Sequence, residues 1–302
     1  MPASLMMALA TLLFATMGVC VKLASAAYGS GEIVMYRGLV GVAMVSGLVL
    51  ARGLSLRTAV PAMHFWRGLS GVAALSLWFY AIGKLPLPTA MTLNYMSSVW
   101  MALFLIGGSV LMGGRRVDGR LVACVLAGFL GVALVLRPAM HQEQAWYGLA
   151  GLLAGMLAAM AYLQVTALGR AGEPEYRIVF YFSLGSALAG ALVNLCERWG
   201  QATVWHAHSG RGLLLLLAVG LLATAAQLLM TAAYRHGKTL VNASLQYLGI
   251  VFACLYGVWI FQERLDPAAI LGMLLIVGAG LAATLLRTRS LPPDSPQGTT
   301  ES

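Results

Sequence analysis

YAIGKLPLPTAMTLNYMSSVWMALFLIGGSVLMGGRRVDGRLVACVLAGFLGVALVL, residues 80–136, decides the fold, because the chain writes this stretch twice. One helical turn (YAIGKLPLP) leads into an apolar segment, Thr89–Met112, then a basic loop (GGRRVDGR) and a second apolar segment, Leu121–Leu136. The second copy starts near Ala233 and runs through Thr239–Phe261, the loop QERLDP and Ala268–Leu286. Leu93-Asn94-Tyr95-Met96 aligns with Leu245-Gln246-Tyr247-Leu248 at an offset of 152, and Gly128–Gly131 aligns with Val277–Gly280 at 149. The loop absorbs the difference. Both copies set an amide side chain beside a tyrosine in the middle of an apolar span.

Composition says what surrounds such a chain. Hydrophobic residues make up 60% of it and charged residues 10%, with mean hydropathy +0.83. Too few charges remain to clothe a soluble domain. Apolar windows of about 20 residues, each enough to cross a hydrocarbon core about 30 Å thick as helix, recur along almost the whole length. Alternating ten-residue strand patterns are missing, which excludes a β-barrel. The expected fold is all-α and polytopic, with spans near 5–27, 33–51, 66–83, 88–112, 120–136, 146–168, 176–196, 212–234, 239–261 and 267–286. The first span is too long for a signal core, and no Lys or Arg precedes it.

The net charge of +9 forms no patch that would bind nucleic acid. Lys and Arg sit at span ends, where they orient membrane proteins: with the N-terminus inside, inner loops hold twelve and outer loops five. Both termini are therefore expected in the cytoplasm. Ile33–Tyr36 matches Ile178–Tyr181 at an offset of 145, so each half holds five spans. An odd number inserts the second half upside down, the inverted-repeat arrangement of secondary transporters. The expected units are residues 1–140, residues 146–288 and a Pro/Ser/Thr-rich disordered cytoplasmic tail, 290–302.

Candidate functional residues are polar groups inside the spans. Asn94, Tyr95, Gln246 and Tyr247 come first, since a buried amide needs a partner, either a neighbouring helix or a solute. Lys22 and Arg37 are cations within spans, near the same surface. They either snorkel, pair with Glu32, or attract a solute carboxylate. Tyr162 and Gln164 lie inside the sixth span, and Trp78 and Tyr80 are among the aromatics suited to lining a cavity. All ten acids fall in loops, at span ends or in the tail, so the site has cations without anions. That favours a neutral, zwitterionic or carboxylate-bearing solute over a quaternary cation. The five histidines lie near loops with no readable metal or catalytic spacing, and Cys20, Cys124, Cys196 and Cys254 have no paired spacing. No metal, cofactor, catalytic cluster or Walker A sequence is indicated. Gly151–Gly155 forms a G-x-x-x-G suited to close helix contact.

Three stretches carry a resemblance: MYRGLVG (35–41), LWFYAIGKLPLPTAMTLNYMSSVWMALF (77–104) and FQERLDPAAILGMLLIVGAG (261–280). With them the chain resembles the drug/metabolite transporter superfamily, in its ten-span branch built of two EamA-like repeats, over about residues 5–286. The resemblance implies a basket of ten helices around a central cavity open alternately to each side, and mostly export of small metabolites. It matches Arg37 to an arginine that opens the second span and Glu263 to an acid after the ninth. Met96-Ser97-Ser98 stands where the family often has proline, so span four is expected to run straighter. The expected function is transport, not catalysis: an inner-membrane secondary transporter of an amino acid or related carboxylated metabolite, with export as its direction. Uptake or exchange of a nucleoside-like or vitamin-like solute is the second reading, and a non-transporting receptor or assembly protein the third. The expected partners are a small molecule and the lipid bilayer, with a homodimer left open.

Overall fold

A computed structural model describes residues 2–97, 99–101, 103, 104, 107, 119–141, 145–197, 206, 208–236, 242 and 245–290. The expected tail, the basic loop 113–118, the far end of span four and most of 239–244 lie outside the described residues. Within them the chain is helical throughout: α1 (Ala3–Ala24), α2 (Ser30–Ala51), α3 (Pro61–Lys84), α4 (Leu87–Tyr95), α5 (Gly119–His141), α6 (Ala145–Arg170), α7 (Glu175–Glu197), α8 (Gly210–His236), α9 (Leu248–Phe261) and α10 (Pro267–Ser290). Helices α1, α2, α6, α7 and α8 are long and apolar enough to cross a membrane, and shorter apolar stretches lie within α5, α9 and α10. Large apolar side chains also face outward, among them Leu50, Trp146 and Trp259, each at least 75% exposed. Water would penalise such a surface and a lipid environment would not. The protein is a multi-pass membrane protein.

Local sequence sets the helix ends. Pro61, Pro88 and Pro267 stand in first turns, where a missing N–H costs nothing. Helix α9 stops because Gln262 turns left-handed (φ 52°), and the Glu263 N–H returns to the Gly257 carbonyl at 3.0 Å. That closure fixes where the Glu263 side chain points.

Four helix pairs dominate the packing: α2 with α7, α5 with α10, α1 with α8, and α3 with α6. Small residues make the contacts close. A Cβ on Gly38 would sit 2.3 Å from the Ala187 backbone nitrogen, and one on Gly131 would sit 2.7 Å from the Gly272 carbonyl oxygen. Lipid offers no hydrophobic drive between helices, so backbone approach of this kind is what holds them.

Span four is interrupted at Met96, and its far end lies outside the described residues. Helix α4 ends at Tyr95, and helical turns resume beyond Met96, with Val99 N–H donating to the Met96 carbonyl at 2.9 Å. Proline is not needed for this break. Thr92 donates its hydroxyl to the Pro88 carbonyl (2.7 Å), a back-bond that bends helices. In the second half the break recurs at Gln246–Tyr247, where Gly249 N–H donates to the Gln246 carbonyl (2.9 Å) and Ile250 N–H to the Tyr247 carbonyl (3.0 Å). Each polar–aromatic pair therefore sits at a helix interruption.

Candidate functional site

A cavity with about 600 Å³ of non-atom space, the open solvent at its mouth included, is lined by residues of α1, α2, α3, α4, α6, α7 and α8 and by Gln246. Met7, Thr11 and Phe14 of α1 form one wall, and Arg67, Leu75 and Trp78 of α3 another. Arg37, Asn94, Tyr95, Tyr162, Phe182, Gln227, Met230 and Gln246 complete it. Six of the ten expected site residues thus share one cavity: Arg37, Trp78, Asn94, Tyr95, Tyr162 and Gln246.

Two guanidiniums dominate its electrostatics. Arg37 and Arg67 are 4% and 3% exposed, and their Cζ atoms lie 5.0 and 4.3 Å from the centre of the same Phe182 ring. Among the described residues no carboxylate pairs with either. The Phe182 ring faces supply a weak partner for cations, worth about 2 kcal/mol when desolvated, far less than burying two charges costs. Several buried donors also lack a hydrogen-bond partner among the described residues: Arg37 Nε, Arg67 Nε and Nη1, Trp78 Nε1 and Tyr95 Oη. Gln246 Oε1 lacks a hydrogen-bond partner among the described residues, and its Nε2 lies 3.8 Å from the Met230 sulfur. The cavity is rich in donors and in positive charge, so it is shaped for a ligand rich in acceptors.

Neighbouring helices hold these groups in place. Helix α6 brings Gly155 so close to α4 that a Cβ there would lie 2.5 Å from the Leu93 carbonyl oxygen, which presses the G-x-x-x-G face onto the Asn94 turn. Tyr95 crosses to the other half and lays its ring on Gly249, where a Cβ would be 2.4 Å from its hydroxyl. Tyr162 stacks on Tyr234, centroids 5.7 Å apart. Arg67 lies along its own helix over Gly71, and a Cβ on Gly71 would fall 1.8 Å from Nη1. Gly71→Ala is therefore expected to push the Arg67 side chain out of its place without breaking α3. The variant should purify as a folded protein, yet lose ligand-induced stabilisation as completely as Arg67→Ala, measured by thermal shift.

The remaining expected residues lie elsewhere. Lys22 is not at the cavity and does not pair with Glu32. Its Nζ meets Glu263 at 2.6 Å, donates to the Leu85 carbonyl at 2.7 Å and lies over the Phe261 ring. Glu263 in turn accepts from the Leu87 N–H at 3.1 Å, so one ion pair ties the ends of α1 and α9 to the start of α4. Glu32 is fully buried and meets His206 Nδ1 at 2.7 Å, so three histidines expected to be without role (the others are His64 and His236) have acidic partners. Gln164 accepts from Ser70 (2.8 Å) and is not among the cavity-lining residues, Tyr80 packs on Tyr147 at the surface, and Tyr247 is buried away from the cavity lining.

Arg67, Gln227 and Phe182 are the residues that sequence reading missed. Arg67 is one of the cations counted in the inner loops, but α3 begins at Pro61 and carries it two turns inside. The proline was the available signal. Phe182 is found from the internal repeat alone: the offset of 145 that aligns Ile33 with Ile178 aligns Arg37 with Phe182.

The EamA-like transporter family model matches residues 1–137 and again 145–285. The chain is 33% identical over 287 residues to the pseudopaline exporter of Pseudomonas aeruginosa, covering 94% of this chain and 96% of that one. It is 24% identical over 230 residues to an S-adenosylmethionine uptake transporter of Rickettsia felis, with 75% and 73% covered. A protein of known crystal structure shares the fold with TM-score 0.66 at 23% identity, covering 94% of this chain and 98% of that chain. The chain belongs to the EamA-like transporter family: it is a small-molecule transporter of the drug/metabolite transporter superfamily, not an enzyme.

Proposed function

We propose that this EamA-like transporter carries a small carboxylate-bearing metabolite, an amino acid or a relative of one, across the inner membrane by alternating access. One observation carries the reading: two buried arginines without a counter-ion among the described residues, sharing one aromatic ring in a donor-rich cavity. An incoming carboxylate supplies the missing charge and accepts bidentate hydrogen bonds that a lysine would not organise. Asn94, Tyr95 and Gln246 complete the contacts from the two helix interruptions, where freed backbone and side-chain groups commonly meet a transported solute. Tyr162 and Trp78 pack against its apolar part.

Ten spans in two inverted halves suit this cycle. The packing pairs support it, since exchanging α1–α5 with α6–α10 turns α1–α8 into α6–α3 and maps α2–α7 and α5–α10 onto themselves. The uneven distribution of Lys and Arg favours both termini inside. The Lys22–Glu263 pair acts in this scheme as a latch at the outer end, because it fastens α1 and α9 to α4. Similarity to the pseudopaline exporter favours export.

Uptake of a nucleoside-like solute is the second reading, supported by the Tyr162–Tyr234 stack and by the likeness to the S-adenosylmethionine uptake transporter. A thermal-shift panel separates the two. A ligand at a hundredfold excess over its Kd stabilises the folded state by about 2.7 kcal/mol. L-Glutamate and citrate are expected to raise the melting temperature, with adenosine, riboflavin and tetraethylammonium giving no rise. Stabilisation by adenosine alone would transfer the assignment to the second reading.

A further inference from the structure

Away from the cavity, at the end of the bundle where α2 and α6 finish, lies a buried carboxylate–imidazole pair that solute binding does not use. Glu173 stands in the loop after α6 and His64 in the first turn of α3, each 4% exposed. The Glu173 carboxylate is saturated with donors. Oε1 accepts from Thr58 (2.9 Å), Oε2 from His64 Nε2 (3.1 Å), and Arg177 Nη1 reaches both oxygens at 3.2 and 3.1 Å. Burial alone would raise this carboxyl, but the bonds from Thr58, His64 and Arg177 outweigh it and hold it below the ordinary carboxylate range. Glu173 is therefore the fixed anion, and it sets the tautomer of His64 as Nε2–H donor.

That leaves the His64 Nδ1 lone pair, buried and without a partner among the described residues. The groups around His64 are Glu173 from the loop, Arg177 and the Tyr181 ring (4.6 Å) from α7, and Arg67 from its own helix, one turn deeper. Arg67 is the cavity arginine. Burial does most to disfavour charge on the imidazole and Arg177 adds to it; Arg67 contributes a further, smaller repulsion whenever the cavity holds no anion.

We propose that His64 Nδ1 is a proton-binding site coupled to the cavity through Arg67, so that an anionic solute and a proton favour each other's binding. When a carboxylate neutralises Arg67, the repulsion falls and a solvent proton joins Nδ1, giving an imidazolium that still donates through Nε2 to Glu173. Linkage makes the effect reciprocal: the proton strengthens anion binding by the same factor. Thr58 and Glu173 join the α2–α3 loop to the α6–α7 loop, so the charge on His64 bears on that contact. The proposal rests on reading the arginine cavity as an anion site.

The test is the titration of His64 by ¹³C NMR of ring-labelled histidine in the detergent-purified full chain. The His64 signal is assigned by its absence in His64→Gln. Arg67→Met, which removes the charge as a bound anion would mask it, is expected to raise the His64 midpoint measurably. Glu173→Gln is expected to lower it. An unchanged midpoint in Arg67→Met, or a His64 that does not titrate between pH 4 and 9, overturns the proposal. The anion reading fails separately, by a flat carboxylate thermal shift with the midpoint still moving.

Discussion

Replacing Arg67 or Arg37 by Met is expected to raise the melting temperature of the empty protein while removing its response to carboxylates. The two effects have opposite signs because each arginine is costly until a ligand arrives. A buried cation with no carboxylate beside it has lost its hydration and gained little in return. Exchanging buried charge for an apolar side chain of similar length is often stabilising by about 1–4 kcal/mol. Binding moves the other way. A hydrogen bond to a charged group contributes about 1.5–3 kcal/mol, so each single substitution should weaken carboxylate binding by about 10- to 100-fold. A merely structural arginine gives the opposite pattern, with stability falling and any ligand response preserved. Thermal melts of the two variants with and without citrate separate these outcomes.

Gly38→Leu is expected to prevent assembly of the bundle. A Cβ at Gly38 would meet backbone on three sides: the Ala187 nitrogen at 2.3 Å, the Ser183 carbonyl oxygen at 2.6 Å and the Ala187 Cα at 2.7 Å. No rotamer relieves a contact with backbone, so α2 and α7 must separate, and Arg37 and Phe182 lie beside that seam. The cost should exceed about 4 kcal/mol, the range reserved for severe overpacking. Gly47→Ala, one helix face away with nothing within 4 Å of the new Cβ, is the control and should be neutral. Size-exclusion chromatography reads the difference: a monodisperse peak for Gly47→Ala and aggregate for Gly38→Leu.

Much of this architecture was legible because membrane helices announce themselves by length and hydropathy. Among the described residues five helices are long and apolar enough to cross a membrane, each at the place of an expected span, and the helices at the places of spans four and nine are described over Leu87–Tyr95 and Leu248–Phe261 alone. The family model matches the chain twice, over 1–137 and 145–285. Asn94 and Gln246 stood out because an amide in an apolar run needs a reason. The interruptions beside them did not stand out, since proline was the sign sought and a threonine back-bond accompanies the first break instead. Arg67 was lost to a boundary error of a few residues: position 67 reads as a loop cation if the span starts at 66 and as a buried one if the helix starts at Pro61. Ion-pair choices were out of reach for a different reason. Lys22 and Glu32 are ten residues apart, but Glu263 and His206 reach them from the other half, and nothing local encodes that meeting.

The most direct test of the central claim is charge movement in proteoliposomes on a solid-supported membrane, following concentration jumps of L-glutamate and citrate. The arginine-cavity account predicts transient currents of the sign expected for anion translocation, absent in the Arg37→Met/Arg67→Met double variant although that protein melts no lower than the wild type. Currents or uptake driven by adenosine or tetraethylammonium and unaffected by the double substitution would contradict it.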